Sequence, residues 1–211
     1  KLRTPLVFKG GYIGLRVFEA TRYTVDLDAL VLAADIDEIV ILAQDAIHMD
    51  INDGVWFRFE KDADLETLGE YGGVRLYFRT GIGKPLQNTQ KARLIHLDLG
   101  LGDIVFPEPL QIETGVLLGQ EMLTWKVYTI ESICAEKLHA LIMRPDNSRS
   151  KDVFDLCHFL PKCNKKFLLN AITETFKARR DELPESISQS LASADSEILQ
   201  RGWDSVVAGL K

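Results

Sequence analysis

Residues Phe8 to Val31 read FKGGYIGLRVFEATRYTVDLDALV, and the fold turns on this stretch. Leu6-Val7-Phe8 closes a short apolar run of the kind that ends a buried element. Gly10-Gly11 then offers a turn whose backbone can approach a ligand closely, because neither residue carries a Cβ. Ile13, Leu15, Val17 and Phe18 fit a helix moderately. A helix beginning just after Gly11 presents free N–H groups and its positive dipole end to the turn, which suits phosphate. Asp26 and Asp28 flank Leu27 in a strand-like run that leads into Ala29-Leu30-Val31-Leu32. Carboxylates at i and i+2 of a strand share a face, where their repulsion calls for a cation between them. The arrangement expected is turn, helix, strand, with an anion cradle at one end and a magnesium-holding carboxylate pair at the other, since magnesium takes carboxylates together with phosphate oxygens. A paired glycine alone is an ordinary turn and a DxD alone an ordinary surface strand. Their order ahead of an apolar run is the specific feature.

The 211 residues carry a net charge of −6, with 27% charged and 46% hydrophobic side chains, an ordinary balance for a soluble globular protein. The length allows one large domain or two small ones. No apolar run approaches a membrane span and the start shows no secretory pattern, so a bacterial-type cytoplasm is the expected location. The chain opens on Lys1 and enters a core-like strand almost at once, so an N-terminal element is expected to be missing or cleaved. Cys134, Cys157 and Cys163 form no CxxC pair, which favours reduced thiols. A zinc site of Cys157, His158 and Cys163 competes with a plainer reading in which Cys157 continues an apolar helical stripe. The net charge tells against indiscriminate nucleic-acid binding. Arg16, Arg22, Arg58, Arg75, Arg79, Lys84, Lys91 and Arg93 nevertheless all lie in the first half, as a local basic groove or as solvated surface.

Ile36, Ile39, Val40, Ala43 and Ile47 make a helical stripe over Asp35 to Ile47. Asn52-Asp53-Gly54 is a turn signal, followed by a short strand from Val55 to Phe59, and Asp64 to Glu70 reads as a helical turn. Val74, Leu76 and Phe78 alternate with Arg75, Tyr77 and Arg79; Ile95, Leu97, Leu99 and Leu101 alternate with Leu94, His96, Asp98 and Gly100. Both segments are strands with one buried face. Asp98, opposite the apolar face and beside a glycine, becomes the candidate third carboxylate, with a solvent-facing strand residue as the alternative. Gly81 to Gln90 is a polar loop, and Asp103 to Gly119, with Pro107 and Pro109, reads as irregular.

From about Tyr128 the pattern turns helical, which divides the chain into a core of residues 1–127 and a helical region of 128–211. Thr129 caps a helix from Ile130 to Met143. Ile130, Cys134, Lys137 and Leu141 form one seam of it, so Lys137 falls on the apolar face and either snorkels out or meets an anion. Ser150 caps the next helix, with Val153, Leu156, Cys157 and Leu160 as its buried stripe. Asp152 lies in the first turn, where the helix dipole favours an acid regardless of function. Lys165 to Lys211 holds two or three amphipathic helices broken around Pro184 and Gly202, with a basic start at Lys162, Lys165, Lys166, Lys177, Arg179 and Arg180, suited to an RNA or protein partner or to solvent.

Taken in order, FKGG, TRYTVDLD, EYGGVRL, IHLDLGLGD and TIESICAEKLHALIMRPDNSRSKDVFDL resemble the AbiEii/AbiGii-type nucleotidyltransferase family, whose fold is similar to that of DNA polymerase β. The last block is the most specific. The resemblance implies an α+β fold, with a mixed or antiparallel sheet, flanking helices and a helical C-terminal region that completes the active site. It also implies magnesium-dependent transfer of a nucleoside monophosphate from a nucleoside triphosphate to a hydroxyl of RNA (tRNA among the candidates) or of protein, releasing pyrophosphate. Family members include toxins of abortive-infection and toxin–antitoxin systems, which adds a cognate antitoxin to the expected partners and no membrane.

Carried over by position, Lys9, Gly10 and Gly11 would hold the triphosphate, and Arg22 and Thr24 would contact nucleotide. Asp26 and Asp28 would bind two magnesium ions, and Asp98 would complete the metal site near the attacking hydroxyl. Lys137 would contact phosphate, and Asp152 would orient the acceptor or Lys137. Many relatives have serine after the first glycine; Gly11 here removes that hydroxyl. The competing reading is a non-catalytic scaffold of the same fold that binds nucleotide or a protein partner.

Overall fold

A computed structural model describes residues 6–32, 35–49, 51–65, 72–102, 104–116, 121–144, 148–192 and 196–210, with Ile36 described in its backbone only. The chain forms two compact units, one of Lys1–Phe8, Val25–Gly102 and Gln111–Lys126, the other of Lys9–Thr24, Asp103–Leu110 and Val127–Lys211.

The first unit is a seven-stranded sheet. Its strands are β1 (Leu6–Lys9), β2 (Asp26–Val31), β3 (Val55–Asp64), β4 (Gly73–Ile82), β5 (Arg93–Leu101), β6 (Leu110–Gly115) and β7 (Met122–Val127). They lie in the order β3-β4-β5-β2-β1-β7-β6. β2 runs parallel to β5, whereas β4 is antiparallel to both β3 and β5, so the sheet is mixed, as the family resemblance implied. One helix, α2 (Ile36–Ile47), belongs to this unit. Asp35 caps it by accepting a hydrogen bond from the Asp37 amide at 3.0 Å. Ile39 and the flanking Val40, Ala43 and Ile47 pack with Ala29, Val31, Val74, Leu76, Phe78 and Leu99. Alternation decides the two faces of β4 and β5: Val74, Leu76, Phe78, Ile95, Leu97 and Leu99 go to that core, and Arg75, Tyr77, Arg79, His96 and Asp98 to the opposite face.

The second unit is helical: α1 (Gly10–Val17), α3 (Ile130–Met143), α4 (Ser150–Phe159), α5 (Lys165–Ala178), α6 (Ile187–Ala192), α7 (Ser196–Arg201) and α8 (Trp203–Val207). α3 is buried on nearly every side, through Ser132, Ile133, Cys134, Ala135, Lys137, Leu138, His139 and Leu141, the mark of a central helix. Thr129 caps it as expected, accepting from the Ser132 amide at 3.2 Å. Gly14 is required where α1 meets α4, since a Cβ there would lie 2.8 Å from the Phe159 ring.

Several local expectations are corrected. The segment read as irregular contains β6: Pro107 and Pro109 end before Leu110, and the six residues that follow are free of proline. β3 runs to Asp64 because a register shift between Phe59 and Lys61 breaks the alternation without ending the strand. β4 continues through Gly81 to Ile82. α1 starts at Gly10, two residues early, with Gly10 at φ +74°, which glycine adopts without steric cost. Ser150 is the first helical residue and not the cap; its hydroxyl donates to the Leu199 carbonyl. The turn expected over Asp64 to Glu70 lies mostly outside the described residues. Among the described residues, no helix is long and apolar enough to cross a membrane.

Candidate active site

Strand register assembles the acids of the first unit. In the β2/β5 pair Asp26 stands opposite His96 and Asp28 opposite Asp98. In the β4/β5 pair Arg75 stands opposite Asp98 and Tyr77 opposite His96. Since directly paired residues share a face, Asp26, Asp28 and Asp98 occupy one face with Arg75, Tyr77 and His96, away from the apolar core. Arg75 grips Asp98 bidentately, Nε to Oδ1 at 2.6 Å and Nη2 to Oδ2 at 2.6 Å. This bond, more than anything else, holds the Arg75 pKa above its usual value against the pull of burial. His96 Nε2 lies 3.0 Å from Asp26 Oδ1. Neighbouring strands thus give Asp98 a guanidinium partner and Asp26 an imidazole one. Sequence reading passed over both partners, although the alternation had already put Arg75 and His96 on the polar faces of their strands.

As these side chains stand, no group of three His, Cys, Asp or Glu residues among the described ones is arranged to hold a metal ion. The donor chemistry nonetheless fits magnesium, being three carboxylates on one face with Asp26 44% exposed at its side chain. Cys157 is exposed, so it does not continue the buried stripe of α4 as expected, and Cys163 Sγ, the other thiol of the zinc alternative, lies 3.6 Å from Cys134 Sγ. A cleft of about 500 Å³ beside α2 is lined by Asp37, Asp62 and Asp64 and contains none of the three acids.

In the second unit, the motif residues join one charged network. Arg22 donates from Nε and Nη2 to the two oxygens of Asp155 at 2.7 and 2.6 Å. Lys137 Nζ lies 2.7 Å from Asp152 Oδ1 and 2.8 Å from Asp155 Oδ2. Arg149 reaches the other oxygen of Asp152 at 3.4 Å. Lys137 therefore stays inside and meets carboxylates. Burial lowers its pKa, but the charges of Asp152 and Asp155 outweigh that and hold it above the usual lysine value. Burial likewise raises Asp155, yet Arg22 and Lys137 together bring it below the usual carboxylate range. Arg22 was expected to touch nucleotide; Asp155 was missed, because an acid one turn beyond Asp152 looks like any i, i+3 surface residue until the helix is seen to bury it.

Arg22 and Thr24 also flank the glycine turn. A Cβ on Gly11 would lie 3.2 Å from Arg22 Nη2 and 3.3 Å from Thr24 Cβ and Oγ1. A side chain at Gly11 would therefore crowd these two residues, which would have to give by a few tenths of an ångström. Lys9, at the start of α1, donates to Glu136 at 2.9 Å and lies 5.3 Å from the centre of the Tyr128 ring. Arg179 reaches Glu136 at 3.5 Å and His139 Nδ1 at 3.3 Å, and His139 Nε2 lies 2.7 Å from Asp181. Because Arg179 can only donate, Nδ1 accepts and the Nε2 proton goes to Asp181. Burial first, and then the Arg179 and Arg144 charges, keep the His139 pKa below its ordinary value although Asp181 opposes them.

The family model described as the nucleotidyl transferase AbiEii toxin of a type IV toxin–antitoxin system matches residues 1–211. Among solved structures, the chain is similar to JHP933 from Helicobacter pylori, at 17% identity and a TM-score of 0.48, over 98% of this chain and 90% of that one. It is also similar to a candidate nucleotidyltransferase from H. pylori, at 16% identity and a TM-score of 0.38, over 92% of this chain and 90% of that one. No curated protein matches.

Proposed function

The chain belongs to the AbiEii nucleotidyl transferase toxin family and is a nucleotidyltransferase, and from this premise we propose that it moves a nucleoside monophosphate from a nucleoside triphosphate to a hydroxyl of RNA, with magnesium bound by Asp26, Asp28 and Asp98. The observation that carries the reading is the β2/β5 register, which sets Asp28 opposite Asp98 and keeps Asp26 on the same face. Three carboxylates on a polar sheet face are costly unless a cation is to be held there.

The roles follow the motif positions. The Gly10-Gly11 turn takes the triphosphate through backbone N–H groups at the start of α1, with Thr24 supplying a hydroxyl beside Gly11. Lys137 has three N–H donors; two go to Asp152 and Asp155, and the third serves a phosphate oxygen. Asp152 and Asp155 thereby orient Lys137. The acceptor hydroxyl attacks the α-phosphorus in line, a new P–O bond forms as the bridging P–O bond to the β-phosphate breaks, and pyrophosphate leaves. Asp98 is the carboxylate assigned to the attacking hydroxyl. Magnesium, when bound, offsets charge on the attacking and leaving oxygens. A cytoplasmic setting and a cognate antitoxin accord with the family's type IV toxin–antitoxin description.

The test is transfer of label from each α-labelled triphosphate to total RNA, purified tRNA and protein, with and without magnesium. Label in RNA that requires both magnesium and Asp26 supports the reading. Label confined to protein, or transfer by an Asp26→Ala variant at the native rate, overturns it.

A further inference from the structure

The acid-bearing sheet face does not stop at Asp98. Across β5 and β4, His96 stands opposite Tyr77, and across β4 and β3, Tyr77 stands opposite Lys61, Arg79 opposite Arg58 and Gly81 opposite Trp56. All of these lie on the acids' side of the sheet. Lys61 Nζ lies 5.0 Å from the centre of the Tyr77 ring. The Trp56 ring lies against Gly81, where a Cβ would come within 2.9 Å of it, so the glycine is what lets the indole approach the sheet this closely. Charge is therefore sorted along this face, with acids on β2 and β5 and cations and aromatic rings on β4 and β3. Three strand spacings separate the two ends, about 14 Å.

The cations differ in availability. Arg79 is saturated by Glu60, the Gln90 side chain and the carbonyls of Gln90 and Ala92, so it shapes the hairpin and leaves no donor for a ligand. Arg58 and Lys61 are exposed. Asp62 and Asp64 pair with Leu76 and Val74 and so face the opposite, core side of the sheet. Exposed cations beside aromatic rings, with the local acid already neutralised, are the combination that binds single-stranded nucleic acid, phosphates on the cations and bases on the rings.

We infer that the β3/β4 end of this face, through Trp56, Arg58, Lys61 and Tyr77, binds the last nucleotides of a single-stranded RNA whose terminal hydroxyl is the acceptor. The inference rests on the nucleotidyl-transfer reading and adds to it the acceptor's class and its direction across the sheet, from β3 toward Asp98.

The experiment measures binding of a 5′-labelled single-stranded RNA dodecamer to the full chain by fluorescence anisotropy, at several salt concentrations between about 50 and 200 mM. In parallel it records the melting shift produced by magnesium and triphosphate. The variants are Trp56→Ala and the double variant Arg58→Gln/Lys61→Gln, each with its fold checked by circular dichroism. Loss of two phosphate contacts should flatten the slope of log affinity against log salt by about 1.4 and weaken binding at least tenfold or so at the lowest salt. Trp56→Ala should weaken binding by roughly 5- to 150-fold with no change in slope. The melting response to magnesium and triphosphate should stay as in the native chain. Native affinity and slope in the double variant would overturn the inference, as would native affinity in Trp56→Ala or a native chain that labels only protein and ignores RNA. Loss of the melting response in the native chain, with RNA binding intact and sensitive to the variants, would instead strike the nucleotidyl-transfer reading and leave the RNA surface standing.

Discussion

Acids serve opposite ends in the two units. On the sheet, Asp26 is 44% exposed at its side chain and lies against His96, and Asp98 is 17% exposed and held by Arg75, each partner coming from a neighbouring strand. Among the helices, Asp155 is 2% exposed and caught between Arg22 and Lys137. A buried carboxylate so enclosed is part of the packing, and its loss strands Arg22 and takes one of two carboxylates from Lys137. A half-exposed carboxylate can exchange its partner for a metal ion at little structural cost. Burial sets Asp155 apart from Asp26, whereas Asp98 and Asp152 are both 17% exposed at their side chains and differ in their partners, which teaches that exposure and partners together set what an acid is free to do.

That contrast can be broken by mutation. Asp28→Ala should lower transfer by more than about a thousandfold while the melting temperature holds or rises, since a like-charge neighbour of Asp26 is removed; a fall in stability with activity retained would erase the distinction. Asp155→Ala should do the reverse in kind, costing about 3–5 kcal/mol in a denaturant titration because Arg22 is left buried without its carboxylate and Lys137 keeps only Asp152. In the native chain the Asp155 contribution is fully present above the unfolded carboxylate range, near pH 4, and is lost as pH falls through its lowered folded value.

Arg75→Met should cost under about 1 kcal/mol of stability, the Arg75 side chain being 34% exposed and screened, yet slow transfer by releasing Asp98. Gly11→Ser should cost about 1 kcal/mol, since the new Cβ crowds Arg22 and Thr24, and should weaken triphosphate binding by displacing Thr24, seen as a smaller melting shift. The smallest effect is the pH dependence of His139. Its folded pKa is lowered, so the neutral ring stabilises fully above the unfolded value of about 6.5 and that stability fades as pH falls through the folded value. The gap in melting temperature between the native chain and His139→Gln should therefore narrow between about pH 7.5 and 5.

Much of this was legible beforehand. Alternation in Val74–Arg79 and Leu94–Leu101 gave both strands and the side on which Asp98 lies, because a period of two follows from backbone geometry alone. β6 and β7 were not legible. Leu110–Gly115 sits directly after two prolines, and both strands mix exposed polar and apolar residues without a clean period. Lys137 was found as an anomaly on an apolar seam, and the family resemblance offered Asp152 as a residue to orient it; Asp155 was not found, since it comes from α4 and only packing brings it to α3. The same holds for Gly11: a missing hydroxyl was visible in the sequence, and the closeness of Arg22 and Thr24 to that position was not.

By itself, then, the order of residues determined which side chains share a strand face or a helix seam, for these depend on fixed local periods, and its motif blocks indicated the family. Tertiary structure alone decided who partners whom: Asp98 with Arg75, Asp26 with His96, and Lys137 with two acids of α4. Register between strands and contact between helices are set by burial summed over whole surfaces, a quantity that no single stretch of the chain carries.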